Sequence, residues 1–218
     1  MIRTILAMLA LAVASPAFAQ AQQTERFEVT GVEISLPTPK GFCRPQGQAA
    51  IVAQLTAASD DSNVTNLTLY RCGDESEFLD YYILKTTKTL LMLSISRADF
   101  IAGVVESLDD PAVKAAVDPA RINPEIERNL DTLFGVKGKI GGEIRWLGHD
   151  DSCVYLGGVM RLESQGGVYT RAVSGCMTAV GGRAVNLYRY SAGEAANVTK
   201  YLPELKAMAL SMQGAPAH

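Results

Sequence analysis

Histidine is nearly absent. The 218 residues hold two, His149 and His218, so a nitrogen-rich metal centre is out of reach, because catalytic zinc usually takes at least two nitrogen or sulfur ligands. No C-x-x-C occurs, which removes the usual spacing for thioredoxin-like exchange and for a zinc knuckle. No G-x-S-x-G is present for a hydrolase nucleophile elbow. Near residue 138, "GKIGGE" lacks the Lys-Ser/Thr of a phosphate loop, and no G-x-G-x-x-G leads from a strand into a helix. Lysine and arginine never cluster, and the formal net charge is −3. That balance argues against a nucleic-acid or anionic-membrane partner. No cofactor is indicated.

What is there begins with the N-terminus. MIRTILAMLALAVASPAFAQ carries one charge, Arg3, then an apolar run from Ile5 to Val13, then Ala17-Phe18-Ala19. Those three parts are those of a secretory signal peptide, cleaved after Ala19. The run falls short of the ~20 residues that span a bilayer. No cysteine follows the cleavage site, so a lipoprotein anchor has no attachment point. A soluble periplasmic or secreted protein without stable membrane insertion is expected. Loss of Arg3 with the leader takes the net charge to −4.

All four cysteines, Cys43, Cys72, Cys153 and Cys176, lie in the exported part. An even number in an oxidising compartment favours structural disulfides. Four cysteines allow three connectivities. With strands 32–36 and 64–72 parallel around the helix between them, Cys43 and Cys72 fall at the same sheet edge, which favours Cys43–Cys72. Cys153–Cys176 then follows by elimination. A four-residue "SQGG" loop sets Cys153 opposite Thr178, one diagonal step from Cys176. A two-residue loop would open a four-residue offset, about 13 Å at ~3.3 Å per residue, too far for a bond. The pairing therefore calls for the longer loop or a bulge at Gly157-Gly158.

Along the chain, 27–36 alternates apolar and charged residues as a strand with a bend at Gly31. "PTPKGFCRPQG" breaks the pattern. Residues 48–58 carry Ile51, Leu55 and Ala58 at helical spacing, an amphipathic helix with a short apolar face, and strands follow at "NVTNLTLYRC" and "LDYYILKTT". Ser96 and Asp99 form a capping box for a helix ending near Leu108. Asn123 and Pro124 mark the start of another, ending near Phe134. Four glycines in "GVKGKIGG" predict a loop. From Glu143 onward short turns separate strands in an antiparallel meander, including a hairpin folded at Gly181-Gly182. Both faces of that meander are apolar, so both should be covered. Val198, Leu202, Leu205, Ala209 and Met212 mark a C-terminal helix that Pro203 kinks or splits.

These elements predict an α+β fold: a single-domain three-layer α/β/α sandwich with a mainly antiparallel sheet. The chain divides into a leader 1–19, a flexible segment 20–26, the domain 27–213 and a tail 214–218. A strand running into "ISLPTPKGFC", the meander, and the closing "GGRAVNLYRYSAG" and "YLPELKAMALSM" resemble the PsbP-like α/β/α sandwich over residues 27–213. That group includes photosystem extrinsic proteins and small bacterial envelope proteins. The resemblance implies a non-enzymatic accessory or binding role, with an unknown protein or small-molecule partner. It carries over no site residues.

The one tempting chemical site is "GHDDSC". His149, Asp150, Asp151 and Cys153 could ligate a metal, or Cys153 with His149 could act as nucleophile and base. The same residues are ordinary turn chemistry between strands, and that reading is preferred. A periplasmic enzyme of hydrolase type using carboxylates around His149-Asp150-Asp151 is kept as the alternative. Tyr188, Tyr190, Arg161, Arg171 and Arg189 could line an anion-binding face, against the favoured reading of solvated strand positions. Asn63, Asn66 and Asn197 lie in N-x-T sequons, relevant only to a eukaryotic secretory pathway.

Overall fold

The computed structural model describes residues 23–73, 79–116, 118–135 and 137–216. The expected leader, its expected cleavage site and His218 lie outside the described residues.

The described residues form two sheets, and all the pairings among them are antiparallel. The smaller joins β1 (Thr24–Val29), β2 (Val32–Pro37) and β10 (Gln213–Pro216) in the order β1-β2-β10. The larger has the order β3-β4-β5-β9-β8-β7-β6. Its strands are β3 (Phe42–Cys43), β4 (Asn63–Arg71), β5 (Tyr81–Thr87), β6 (Gly138–His149), β7 (Val154–Ser164), β8 (Gly167–Val180) and β9 (Arg183–Ala192). The helices are α1 (Gly47–Ala58), α2 (Arg97–Ser107), α3 (Pro111–Ala116), α4 (Pro119–Phe134), α5 (Ala195–Lys200) and α6 (Leu202–Ser211). The fold is α+β.

Strand alternation distributes the core over both faces of the large sheet. Cys153, Cys176, Val180, Val185 and Leu187 join a cluster with Ile34 and Leu36 of the small sheet and Leu205, Met208 and Ala209 of α6. Their neighbours Val154, Ala179 and Ala184 point the other way, against Phe100 and Ile101 of α2. The large sheet is thus the middle layer of three. Ser96 caps α2, accepting a hydrogen bond from the Asp99 N–H at 3.1 Å. Tyr201 separates α5 from α6, and Pro203 lies in the first turn of α6, where its missing N–H costs nothing. The β8–β9 hairpin turns at Gly181 and Gly182, with φ of 56° and 81°. Positive φ at both positions suits the right-handed twist of the flanking strands.

Several expectations are corrected. Strands 32–36 and 64–72 are not parallel partners: β2 belongs to the small sheet, and β4 pairs antiparallel with β3 and β5. Three of the "GVKGKIGG" glycines, Gly138, Gly141 and Gly142, lie within one strand, Gly138–His149, while Gly135 precedes it with φ 63°. Gly138 and Gly142 are needed because β6 and β7 approach closely: a Cβ on Gly142 would stand 2.0 Å from the Val159 carbonyl oxygen, and one on Gly138 2.7 Å from that of Glu163. The helix expected from Asn123 begins at Pro119, so Pro124 lies in its interior. The true start is Asp118, whose Oδ1 accepts the Ala120 N–H at 2.9 Å; Asp110 does the same for Ala112 at 2.7 Å. The flexible segment and the tail both contribute strand, since β1 starts at Thr24 and β10 ends at Pro216.

Candidate functional site

The "HDDSC" turn is built around one carboxylate. Asp150 Oδ1 accepts the N–H groups of Ser152 and Cys153 at 2.8 and 2.9 Å. Its Oδ2 accepts from the Tyr155 hydroxyl and from Lys206 Nζ of α6, both at 2.8 Å. Partial desolvation pushes this carboxyl up, but the Lys206 ammonium and the N–H and O–H donors outweigh it and hold the group well below the usual carboxylate range. Burial, and then the Asp150 charge, push the Tyr155 hydroxyl up. Asp151 is exposed and accepts only from the Ser152 hydroxyl and, at 3.8 Å, pairs with Lys206. His149 ends β6, exposed and opposite Val154. Cys153 is wholly buried in a disulfide. The four residues are neighbours, yet the two with chemical promise, Asp150 and Cys153, are engaged in holding the turn and α6. Among the described residues no group of three or more His, Cys, Asp or Glu side chains could hold a metal ion.

Both disulfides are formed: Cys43–Cys72 and Cys153–Cys176, each with a Cα–Cα distance of 5.3 Å. The first arises because β3 pairs with the end of β4, placing Cys43 opposite Tyr70 and Cys72 just beyond. Its geometry is that of an antiparallel edge. The second is a diagonal bridge. Tyr155 is opposite Cys176 and Val154 opposite Met177, an unbroken register that places Cys153 two residues from its partner's level. Pairing continues to Ser164–Gly167, so the loop is the two residues Gln165-Gly166; placed there, a two-residue loop opens no offset, and the bridge forms with neither the four-residue loop nor a bulge at Gly157-Gly158.

The anion-binding face dissolves on alternation. Arg161 is exposed and pairs with Glu163 at 3.1 Å, and Arg171 donates to the Thr170 carbonyl at 2.7 Å. Tyr190 stacks on Tyr81 at 4.7 Å between centroids, and Tyr70 meets Tyr81 edge-on. Arg189, between Tyr188 and Tyr190, points to the opposite face and is 4% exposed. It is no solvated strand position. Its guanidinium makes two bonds to Asp80, at 3.0 and 2.9 Å, one to the Tyr82 hydroxyl at 2.8 Å, and an ion pair with Glu204 of α6. Asp80 also pairs with Arg71 at 2.6 Å. Desolvation would lower the Arg189 pKa, but Asp80 and its other partners more than offset that and raise it. This network escapes sequence reading, because Asp80 and Glu204 are 109 and 15 residues from Arg189.

The sequon asparagines are hydrogen-bonded within the fold as well, Asn197 buried and Asn63 and Asn66 half-buried. Asn66 Nδ2 donates to Thr86 at 2.8 Å, Asn63 to Asp60 at 3.0 Å, and Asn197 to the Ala192 carbonyl at 3.0 Å.

Helix α1 differs from the rest of the surface. No charged residue lies between Gly47 and Ala58, Ala49 is the one buried residue, and Ile51 and Leu55 are 51% and 39% exposed. Ile51 and Leu55, four apart, share one face. An open groove runs between α1 and β4, lined among others by Arg44, Ala50, Ala53, Ala57, Asn66 and Leu67. Within the sheet, β3 covers only the Tyr70–Arg71 end of β4.

No family model matches this chain. No curated protein matches it either. Among solved structures, the solution structure of cyanobacterial PsbP (CyanoP) from Synechocystis sp. PCC 6803 is a neighbour. The two share 13% identity over 92% of this chain and 98% of that one, with a TM-score of 0.34. The resemblance is one of architecture only.

Proposed function

We propose that this chain is an exported, soluble binding or accessory protein of the bacterial envelope that performs no chemistry of its own, and that it meets its partner through α1. One observation carries the contact surface: an uncharged twelve-residue helix presents Ile51 and Leu55 to solvent with one residue buried beneath it. Isolated exposed apolar residues are ordinary. Two on one face of a helix without a single charge suit an apolar protein surface better than water. The engagement of Asp150 and Cys153 in structural bonds supports the non-catalytic reading. Two disulfides, and no helix among the described residues long and apolar enough to cross a membrane, accord with export to the periplasm.

The test is the double substitution Ile51→Lys and Leu55→Lys. Both sites face solvent, so the melting temperature should hold. A discrete complex formed by the exported protein in its native cells, followed by native electrophoresis, should be lost. A complex that survives both lysines removes α1 as the contact surface.

A further inference from the structure

The two disulfides sit in opposite environments. Cys153 and Cys176 are each 0% exposed, enclosed between the large sheet and α6. Cys72 is exposed and Cys43 half-buried, at the edge where β3 leads toward α1. Thiol–disulfide exchange requires a thiolate to reach a sulfur along the S–S axis, so access decides which bond opens in the folded protein. A reductant meets Cys72 at the surface. It meets Cys153 only after the core is opened.

What the exposed bond holds is equally uneven. Helix α1 has Ala49 as its one buried residue. Its C-terminal end is tied down by Asp60, which receives Lys85 at 2.6 Å and the Asn63 N–H at 2.9 Å. Its N-terminal end follows the disulfide and Arg44, whose half-exposed guanidinium pairs with buried Glu25 at 2.5 Å and donates to the Arg26 carbonyl at 2.8 Å. Phe42, by contrast, is 5% exposed and packs edge-on against Tyr82, 4.6 Å between centroids, so β3 keeps a core anchor of its own.

We propose that Cys43–Cys72 is a redox-responsive tether: a dithiol reductant opens it in the native fold and so releases the N-terminal end of α1, while Cys153–Cys176 stays closed. A thiolate of the dithiol attacks Sγ of Cys72, the S–S bond breaks, and Cys43 leaves as a thiolate and takes up a proton. The second thiol of the dithiol then displaces Cys72 from the mixed disulfide and closes its own ring. Two electrons and two protons pass from the dithiol to the cysteine pair. The consequence is local. Opening of α1 becomes easier, and with it the groove on β4, while the meander retains its core and its buried bridge. The device rests on the reading of α1 as a contact surface only for its biological purpose.

Graded dithiothreitol on the intact exported protein, quenched by alkylation and peptide mapping, tests the chemistry. Amide hydrogen exchange on the same samples tests the release. Cys43 and Cys72 should be labelled together while Cys153 and Cys176 stay unlabelled until denaturant is added. Exchange over residues 47–58 should rise about tenfold and that over 154–192 should stay unchanged. The double variant Cys43→Ser and Cys72→Ser should reproduce the faster exchange without reductant. Parallel labelling of all four cysteines, or selective reduction with no change over 47–58, overturns the proposal. Neither readout involves a partner, so its failure is separate from failure of the contact surface.

Discussion

The Arg189 guanidinium carbon lies 3.7 Å from the centroid of the Tyr201 ring, while its nitrogens reach Asp80, Tyr82 and Glu204. One side chain thereby joins β9 to the start of β5 and to the segment between α5 and α6. Removing one member of a buried ion cluster leaves the others uncompensated, which is the costly case. Arg189→Ala should destabilise the protein by about 3 kcal/mol. Arg189→Lys should recover only part, since an ammonium cannot match the forked contact with Asp80. Denaturant unfolding midpoints read both values.

Glycines separate two opposite effects. At Gly158 a Cβ would stand 1.8 Å from the Glu143 carbonyl oxygen, so Gly158→Ala must part β6 from β7 at a cost of about 2 kcal/mol or more. Gly103 lies inside α2 with nothing within 4 Å of such a Cβ. Gly103→Ala should stabilise by about 0.5–1 kcal/mol through helix propensity. Thermal unfolding of the two variants should show shifts of opposite sign.

The Asp150 turn has a pH signature. A carboxyl held below its ordinary value in the folded state contributes stability that is present above the unfolded pKa near ~4 and is lost as pH falls toward the folded value. The stability gap between wild type and Asp150→Asn should therefore be largest near neutrality and narrow steadily below about pH 4. Exposed His149, replaced by alanine, should change stability by no more than about 0.5 kcal/mol. Urea midpoints across the pH range check both. A loss of metal content or of an enzymatic activity in the His149→Ala protein would contradict the structural reading of this turn.

Local signals were legible in the sequence and long-range ones were not. Gly181-Gly182 and the Ser96 cap are encoded within a few residues, and both stand where their chemistry places them. The split before Pro203 is of the same kind. Glycine proved ambiguous: Gly138 and Gly142 permit close strand approach as readily as a loop, and only the presence of Val159 and Glu163 across the pair decides between them. β10 has no strand pattern in "QGAP". It lies against the β8–β9 turn because neither residue there carries a side chain: a Cβ on Gly214 would stand 2.6 Å from the Gly181 Cα, and one on Gly181 2.9 Å from the Gly214 Cα. Cys43–Cys72 follows from sheet-edge proximity, though the edge is antiparallel and not the parallel one the helical crossover suggests. Of the site, the Asp150 turn was readable as turn chemistry. The Arg189 cluster was invisible, since nothing in "YRY" tells which of three alternating side chains meets Asp80.

The central claim, that α1 is the surface through which this protein binds, is tested most directly by site-specific photocross-linking in its native cells. A photoreactive residue at position 51 or 55 should yield one discrete protein adduct, and the same probe at exposed Val168, at the far end of β8, should yield none. Equal adducts from all three positions, or an adduct from Val168 alone, would contradict the account.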